Sequence, residues 1–274
     1  MTTSDASAQA CPCGATAYKQ VLEGRYDRLG FGGVPFRILE CNSCGLARTD
    51  PMPDVLLYET EEYQSSGSFK GDLDDLWSAS IAGFIASKTS PGRVLNIGAH
   101  TGNLHPPLEA HGYSVLGIDI DDAAVRAATE AGRDVRLVDL YAAGFADGEF
   151  DVITMIHTLE HLADPDRVVG ECARILRAGG SLFINVPNRG GWLPRIMKAS
   201  WIGWVPPHHV WQFTPRTLEA LVRRSGPFTT RFLRGVGSME PPSSGFKGRV
   251  KKLVATTADK LGHGDQVVAI FERR

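Results

Sequence analysis

The stretch that most restricts what this chain can fold into is Val94-Leu95-Asn96-Ile97-Gly98-Ala99-His100-Thr101-Gly102-Asn103-Leu104. It reads as a short buried strand, a tight glycine turn and the start of a helix. Asp119 stands 21 residues after Gly98 and closes a second apolar run, Val115-Leu116-Gly117-Ile118. Glycines let the backbone approach a ligand, and a carboxylate at the end of the next strand accepts hydrogen bonds from ribose hydroxyls. The layout therefore implies a nucleotide-cofactor pocket. It does not imply a dinucleotide. Counted from Gly98, the Gly-x-Gly-x-x-Gly fingerprint meets His100 and Asn103 where its second and third glycines belong. The Gly-Lys-Ser/Thr of a Walker loop is missing too.

From Arg93 onward, strands alternate with helices. Strands are expected at 93–97, 113–118, 134–138, 150–156 and 181–186, and helices at 102–111, 121–131 and 164–177. Short connections of this kind demand right-handed crossovers and a parallel sheet covered on both faces. Thr214 caps a helix over 215–225, and strands follow at 228–233 and 266–272. Two inserts interrupt the pattern, at 188–213 and 234–264. The first holds Trp192, Trp201, Trp204, Trp211 and Phe213. It leaves the carboxyl edge of the sheet, where ligands sit, and reads as a lid. The second carries Lys247, Arg249, Lys251, Lys252 and Lys260 on a helix. The alternative for both is a membrane-surface contact that fetches a lipid-linked substrate.

Ahead of this lie a disordered tail (1–10), a cysteine segment (11–50) and a helical linker or lid (51–92). The linker's apolar anchors are Leu56, Leu57, Leu73, Leu76, Trp77, Ile81, Phe84 and Ile85, and Tyr58 and Tyr63 are candidates to reach an acceptor. Four of the five cysteines precede residue 45. Cys41-Asn42-Ser43-Cys44-Gly45 makes a good zinc-knuckle half, and Cys11-Pro12-Cys13-Gly14 a shorter one. Four thiolates leave no open position, so the expected ion is structural. Cys172 falls on the apolar face of a helix and reads as core. The formal charge of −2 gives no global bias toward nucleic acid. No apolar run approaches the roughly 20 residues of a membrane span. With no signal-peptide pattern at the start, a cytoplasmic protein is expected.

The turn resembles motif I of the class I S-adenosylmethionine (SAM) methyltransferases, with Asn96 in place of the acidic residue and His100 in place of the middle glycine. Phe150 to Pro165 resembles their fourth-strand motif, and Glu171 to Leu182 the helix and turn that follow. Phe213 to Leu218 and Arg224 to Phe228 also fit, so the resemblance runs in order through 93–233. It implies a Rossmann-like α/β sheet with an antiparallel last strand, joined to a small zinc-ribbon-like segment. It implies that Gly98, Ala99, His100 and Gly102 line the methionine end of SAM. Asp119 then holds the ribose, Ile120 lies against the adenine, Asp139 and Leu140 flank it, and His157 sits beside the cofactor.

A cysteine knuckle followed by this core resembles methyltransferases that modify sugars, nucleotide sugars and other small or lipid-linked acceptors. His161 matches a histidine after their fourth strand. His208-His209 before Trp211-Gln212-Phe213-Thr214 matches a Glu-His pair, with His208 in place of the glutamate. A histidine titrating near neutrality suits removal of a hydroxyl proton. His209 is the first choice for that base, then His161, with His208 beside them. The expectation is SAM-dependent O-methylation of a sugar-containing or related small molecule. The alternatives are C-methylation of a nucleotide deoxysugar, a zinc-module RNA methyltransferase and a non-catalytic SAM-binding protein.

Overall fold

The computed structural model describes residues 10–27, 32–51, 75–237 and 245–274. In chain order the elements are β1 (Tyr18–Tyr26), β2 (Val34–Cys41), β3 (Ala47–Asp50), α1 (Asp75–Ala86), β4 (Arg93–Ile97), α2 (His105–Ala110), β5 (Ser114–Asp119), α3 (Asp122–Glu130) and β6 (Val135–Leu137). They continue with β7 (Phe150–Ile156), α4 (Pro165–Ile175), β8 (Leu176–Pro187), α5 (Trp192–Met197), β9 (Trp211–Gln212), α6 (Pro215–Ser225), β10 (Phe228–Val236), α7 (Gly245–Lys260) and β11 (Gln266–Arg273).

Seven strands form the main sheet in the order β10-β11-β8-β7-β4-β5-β6. The five strands from β4 to β8 are parallel to one another, while β11 runs antiparallel to both β8 and β10. The parallel part follows from the sequence. Val94, Leu95 and Ile97 on β4 and Val152, Ile153 and Met155 on β7 are all buried, as strands covered on both faces must be. The helices begin where their caps are. Asp121 accepts from the N–H groups of Ala123 and Ala124, Asp164 from Arg167, and Thr214 forms a capping box with Thr217.

The antiparallel last strand and the 215–225 helix are as expected. Two boundaries move. The helix expected over 102–111 is only His105–Ala110, because Pro106 and Pro107 lack N–H donors and fit only a first helical turn. The fifth strand begins at Leu176, not 181. It leaves α4 directly and passes through a register shift opposite Phe150 and Val152. Leu56, Leu57, Leu73, Tyr58, Tyr63, residues 1–9 and residues 241–244 lie outside the described residues, as do the side chains of Leu76, Lys247 and Lys251.

The cysteine segment is a second sheet, β1-β2-β3-β9, antiparallel throughout. Its fourth strand comes from the 188–213 insert: Ala47 pairs with Gln212 and Arg48 with Trp211. Behind it, Tyr26, Phe36, Ile38 and Ala47 pack with Trp201, Trp204 and Val205. The two indoles meet edge to face at 5.0 Å. The Tyr26 hydroxyl donates to the Ile202 carbonyl at 2.7 Å, and Trp201 Nε1 donates to Asp265 Oδ2 at 3.1 Å. This corrects the membrane reading of the insert. Trp201, Trp204, Trp211 and Phe213 are buried, and Trp192 stacks on His263 at 5.6 Å. The aromatics cement two sheets together and do not form an outward face.

A buried tryptophan removes on the order of 150–250 Å² from water. Trp201→Ala should therefore cost about 3–5 kcal/mol in denaturant unfolding. A loss under about 1 kcal/mol would show that the wedge contributes little.

Candidate active site

Two left-handed glycines shape the turn after β4, Gly98 with φ of 71° and Gly102 with φ of 70°. A Cβ on Gly98 would lie 2.4 Å from Thr158 Oγ1, so the turn packs tightly on the segment that follows β7. The N–H groups of Gly98 and Ala99 donate to the Ile118 carbonyl at 3.0 and 3.1 Å. His100 takes the place of a glycine and adopts the left-handed conformation a glycine would, with φ of 48°. Its N–H donates to Asp119 Oδ2 at 2.7 Å, and the Asp121 N–H donates to Oδ1 at 2.9 Å. Each carboxylate oxygen keeps a further lone pair. The helix that follows is capped by Asp121 and not by Asp119.

The other residues expected at the cofactor are arranged around this edge. Ile120 is 59% exposed, an open apolar side chain directly after β5. Asp139 Oδ1 accepts from the N–H groups of Tyr141 and Ala142, and Leu140 is buried. Asn96 is buried, and its Oδ1 accepts from the Thr154 hydroxyl at 2.9 Å. An acid there would have to be buried as a charge, which the amide avoids. His157, at the end of β7, has φ of 49° and lies 6.0 Å from the Trp77 ring.

The candidate histidines meet. His161 and His209 stand edge to face with ring centroids 4.6 Å apart. His161 Nδ1 lies 3.0 Å from the His208 carbonyl, and His209 Nδ1 lies 2.8 Å from the Gly203 carbonyl. A carbonyl only accepts, so both Nδ1 atoms are donors. Beside them is Glu160, buried at 1% exposure, with Oε1 3.2 Å from His157 Nδ1. Burial pushes the Glu160 carboxyl up, yet the hydrogen bond and charge of His157, with His161 and His209, hold it below its ordinary value. Burial, with the nearby His161 charge, takes His209 down to about 3 and His208 down to about 4. Burial also lowers His161, against the pull of Glu160. Exclusion of water thus favours the uncharged form of these rings, the form that can accept a proton.

The loop that carries His209 is anchored by the cysteine module. Thr49 Oγ1 donates to the His209 carbonyl at 2.5 Å, and Gln212 Nε2 reaches Thr49 Oγ1 at 3.0 Å and the His209 carbonyl at 3.2 Å.

In the module itself the four thiols converge. Cys11 Sγ lies 3.5 Å from Cys44 Sγ, and Cys13 Sγ lies 3.7 Å from Cys41 Sγ. Tetrahedral zinc with bonds of about 2.3 Å places its sulfurs about 3.8 Å apart, and a disulfide would need about 2.05 Å. The four residues fit a tetrahedral ion. The N–H groups of Cys44 and Ser43 hold the Cys41 thiol down to about 7 in spite of its burial, as a turn prepared for a thiolate does.

Glu160, Thr49, Gly203 and Trp77 had not been expected at the site. Glu160 had a signal, since His157-Thr158-Leu159-Glu160-His161 sets an acid between two histidines. Thr49 and Gly203 had none, because their roles come from pairing across distant parts of the chain.

The parallel sheet with its antiparallel β11, the glycine turn and the carboxylate at Asp119 together define a class I SAM-dependent methyltransferase. A family model described as a methyltransferase domain matches residues 69–227, more than half of the chain. The chain belongs to that family. It is similar to the ubiquinone biosynthesis O-methyltransferase of Idiomarina loihiensis, 33% identical over 137 residues that cover 45% of this chain and 56% of that protein. The enzyme of the same description from Aromatoleum aromaticum is 38% identical over 104 residues, 35% of this chain and 44% of that one. The chain thus spans about half the length of the curated relatives it matches. Among solved structures, a SAM-dependent methyltransferase from Thermotoga maritima superposes with a TM-score of 0.57 at 20% identity, over 80% of this chain and 99% of that one. One from Archaeoglobus fulgidus gives 0.55 at 19% identity, over 78% and 100%. These two share the fold.

A left-handed non-glycine residue costs roughly 1–2 kcal/mol, and a glycine returns roughly 0.5–1 kcal/mol of that as extra unfolded-state entropy. His100→Gly should therefore gain up to about 1 kcal/mol in thermal unfolding and keep its affinity for SAM by calorimetry. A destabilised variant would show that the His100 side chain has its own structural partner.

Proposed function

We propose that this protein transfers the methyl group of SAM to a hydroxyl oxygen of a small molecule, a sugar-containing compound or a relative of one. What carries this reading is the buried Glu160–His161–His209 cluster, next to the segment that packs on the glycine turn. When bound, SAM supplies an already activated methyl carbon. The residues of this chain have to hold the cofactor, align the acceptor, exclude water and remove one proton. The turn at Gly98, Ala99, His100 and Gly102 holds the methionine end, and Asp119 accepts from the ribose hydroxyls. Ile120, Asp139 and Leu140 border the adenine, and His157 flanks the cofactor.

The acceptor proton is assigned to the cluster, at His209 first and His161 second, with His208 behind them. Glu160 supplies the negative charge that a departing proton needs nearby. The names of the relatives, which specify O-methyltransferases, support oxygen as the acceptor atom. C-methylation is less well supported, because His208 stands where the resembling enzymes carry a glutamate.

Four thiolates from Cys11, Cys13, Cys41 and Cys44 are assigned a structural zinc ion, whose role is to hold the sheet on which the His209 loop is pinned. No helix among the described residues is long and apolar enough to cross a membrane. Within 11–50 the basic residues are Lys19, Arg25, Arg28, Arg37 and Arg48. Three of them are already committed, Arg37 and Arg48 to Asp50 and Lys19 to Glu40. This does not favour an RNA-steering role for the module.

Calorimetry should show SAM and S-adenosylhomocysteine binding, and no binding of either would end this reading. On an identified acceptor, His209→Ala should lower kcat/KM by about 10²–10⁴-fold with SAM affinity retained. Full turnover in that variant would remove His209 from the chemistry. Metal analysis of reduced protein should find zinc at the thiols, and stripping it should lower the melting temperature. An unchanged melting curve after stripping would remove the structural role.

A further inference from the structure

The apolar wedge uses up the tryptophans of the 188–213 insert, but the same part of the chain presents a different face outward. Eight large apolar side chains are markedly exposed among the described residues. Four of them lie on, or directly after, two helices that pack on each other: Ile196 on α5, Val250 and Leu253 on α7, and Leu261 just past it. Leu253 is 68% exposed and Ile196 63%. Exposed aliphatic residues are ordinarily scattered singly over a surface, and a concentration of them marks a surface that meets something.

Cations surround these residues. Arg249, Lys252 and Lys260 on α7 are exposed, as are Arg195 on α5 and Lys198 after it. None of the five is in an ion pair among the described residues, whereas Arg126, Arg177 and Arg231 on other elements each have an acid beside them. By sequence α7 holds five basic residues and one acid, Asp259, whose Oδ1 accepts from the Gly237 N–H at 2.9 Å. From Trp192 to Ser200 there is no acid at all. At about 100° per residue, Arg249, Val250, Lys252, Leu253 and Lys260 fall within one half of α7, and the buried Ala258 falls in the other. Aliphatic tips and long cations are thus interleaved on one convex surface.

The segment that carries α7 is rooted at a particular edge of the sheet. Val236 at the end of β10 pairs with Gln266, and Gln266 pairs with Pro187, the last residue of β8. Because β4, β7 and β8 are parallel, the glycine turn and His157 leave from this same edge, where ligands bind in such sheets. Trp192 at the start of α5 stacks on His263, which ties the two helices together there.

We infer that α7, with α5 beside it, docks the protein on a bilayer surface rich in anionic phospholipid and so holds the ligand-binding edge of the sheet beside the membrane. A helix of this pattern lies in the headgroup layer. Its aliphatic residues reach the acyl boundary, and its lysine and arginine stems extend to the phosphates. An acidic protein is the poorer fit, since protein interfaces are depleted in lysine. Docking is independent of methyl transfer. For the acceptor, the one point that rests on the methyl-transfer reading, it favours molecules with an apolar tail, which are met without leaving the bilayer.

Cosedimentation with vesicles tests this on the full-length protein, with neither SAM nor acceptor present, so that its failure is separate from failure of SAM binding. Vesicles of phosphatidylcholine and phosphatidylglycerol in equal parts should carry the protein down, vesicles of phosphatidylcholine alone should not, and added salt should release it. Leu253→Ser combined with Ile196→Ser should weaken partitioning by about tenfold or more through the apolar area lost. Arg249→Gln, Lys252→Gln and Lys260→Gln together should weaken it by about 100-fold, roughly fivefold for each cation. All five positions are exposed, and the unfolding midpoints of both variants should match the wild type. Protein that stays in solution with the mixed vesicles overturns the inference. So does vesicle binding that the serine variant retains in full, or binding to soluble polyglutamate in preference to vesicles, which would assign the face to an acidic protein.

Discussion

The hydrogen bond from Thr49 to the His209 carbonyl, 2.5 Å long and fully buried, is the contact that holds the His209 loop to the N-terminal sheet. It joins a residue of the N-terminal sheet to one in an insert of the main domain. Around it, Gln212 donates to the same carbonyl, to Thr49 and to the Trp204 carbonyl, so these groups satisfy one another. Buried networks of this kind fix geometry more than they add stability. The geometry fixed here is that of a histidine ring whose Nδ1 is already committed to Gly203. The apolar wedge of Trp201 and Trp204 supplies the cohesion, and the polar seam supplies the register.

This divides the molecule into two ends with different construction. The cofactor end is local. A turn, the next strand and its carboxylate lie within a short length of chain, and their contacts are backbone N–H groups to Ile118 and Asp119. The end proposed for the acceptor is assembled from three separated pieces: β3, the segment after β7 and the loop before β9. Under the proposed function, backbone donors would read a cofactor shared by many enzymes, whereas side chains from separate pieces would meet the acceptor. That division lets one fold serve many chemistries.

The same division decides what the sequence discloses. Strands β4, β5 and β7 and helix α6 follow from periodicity and caps, since neighbouring residues determine them, whereas the antiparallel direction of β11 follows from the family resemblance. The turn at Gly98 and the carboxylate at Asp119 are legible for the same reason, and so are the paired cysteines. The 188–213 insert is not. Its tryptophans look alike as lid, membrane face or core, because composition records that they are apolar and not what they touch. Only the pairing of Arg48 with Trp211 decides the matter. The sequence sets Glu160 between two histidines but does not disclose its burial, which comes from elements distant in the chain. His100 shows the limit of motif matching: the position requires a left-handed backbone, which a glycine adopts freely and a histidine can adopt at some strain.

The seam also sets a schedule for synthesis. Thr49 and Gln212 are 163 residues apart, so β3 waits as an open strand edge until β9 leaves the ribosome. At about 5–20 residues per second that interval is roughly 8–30 s, during which an unpaired edge invites pairing with a neighbouring chain. Cys11, Cys13, Cys41 and Cys44 all precede β9 in the chain, and the zinc proposed for them needs nothing from that strand. The ribbon can therefore be locked early and kept from straying while the rest of the enzyme is made.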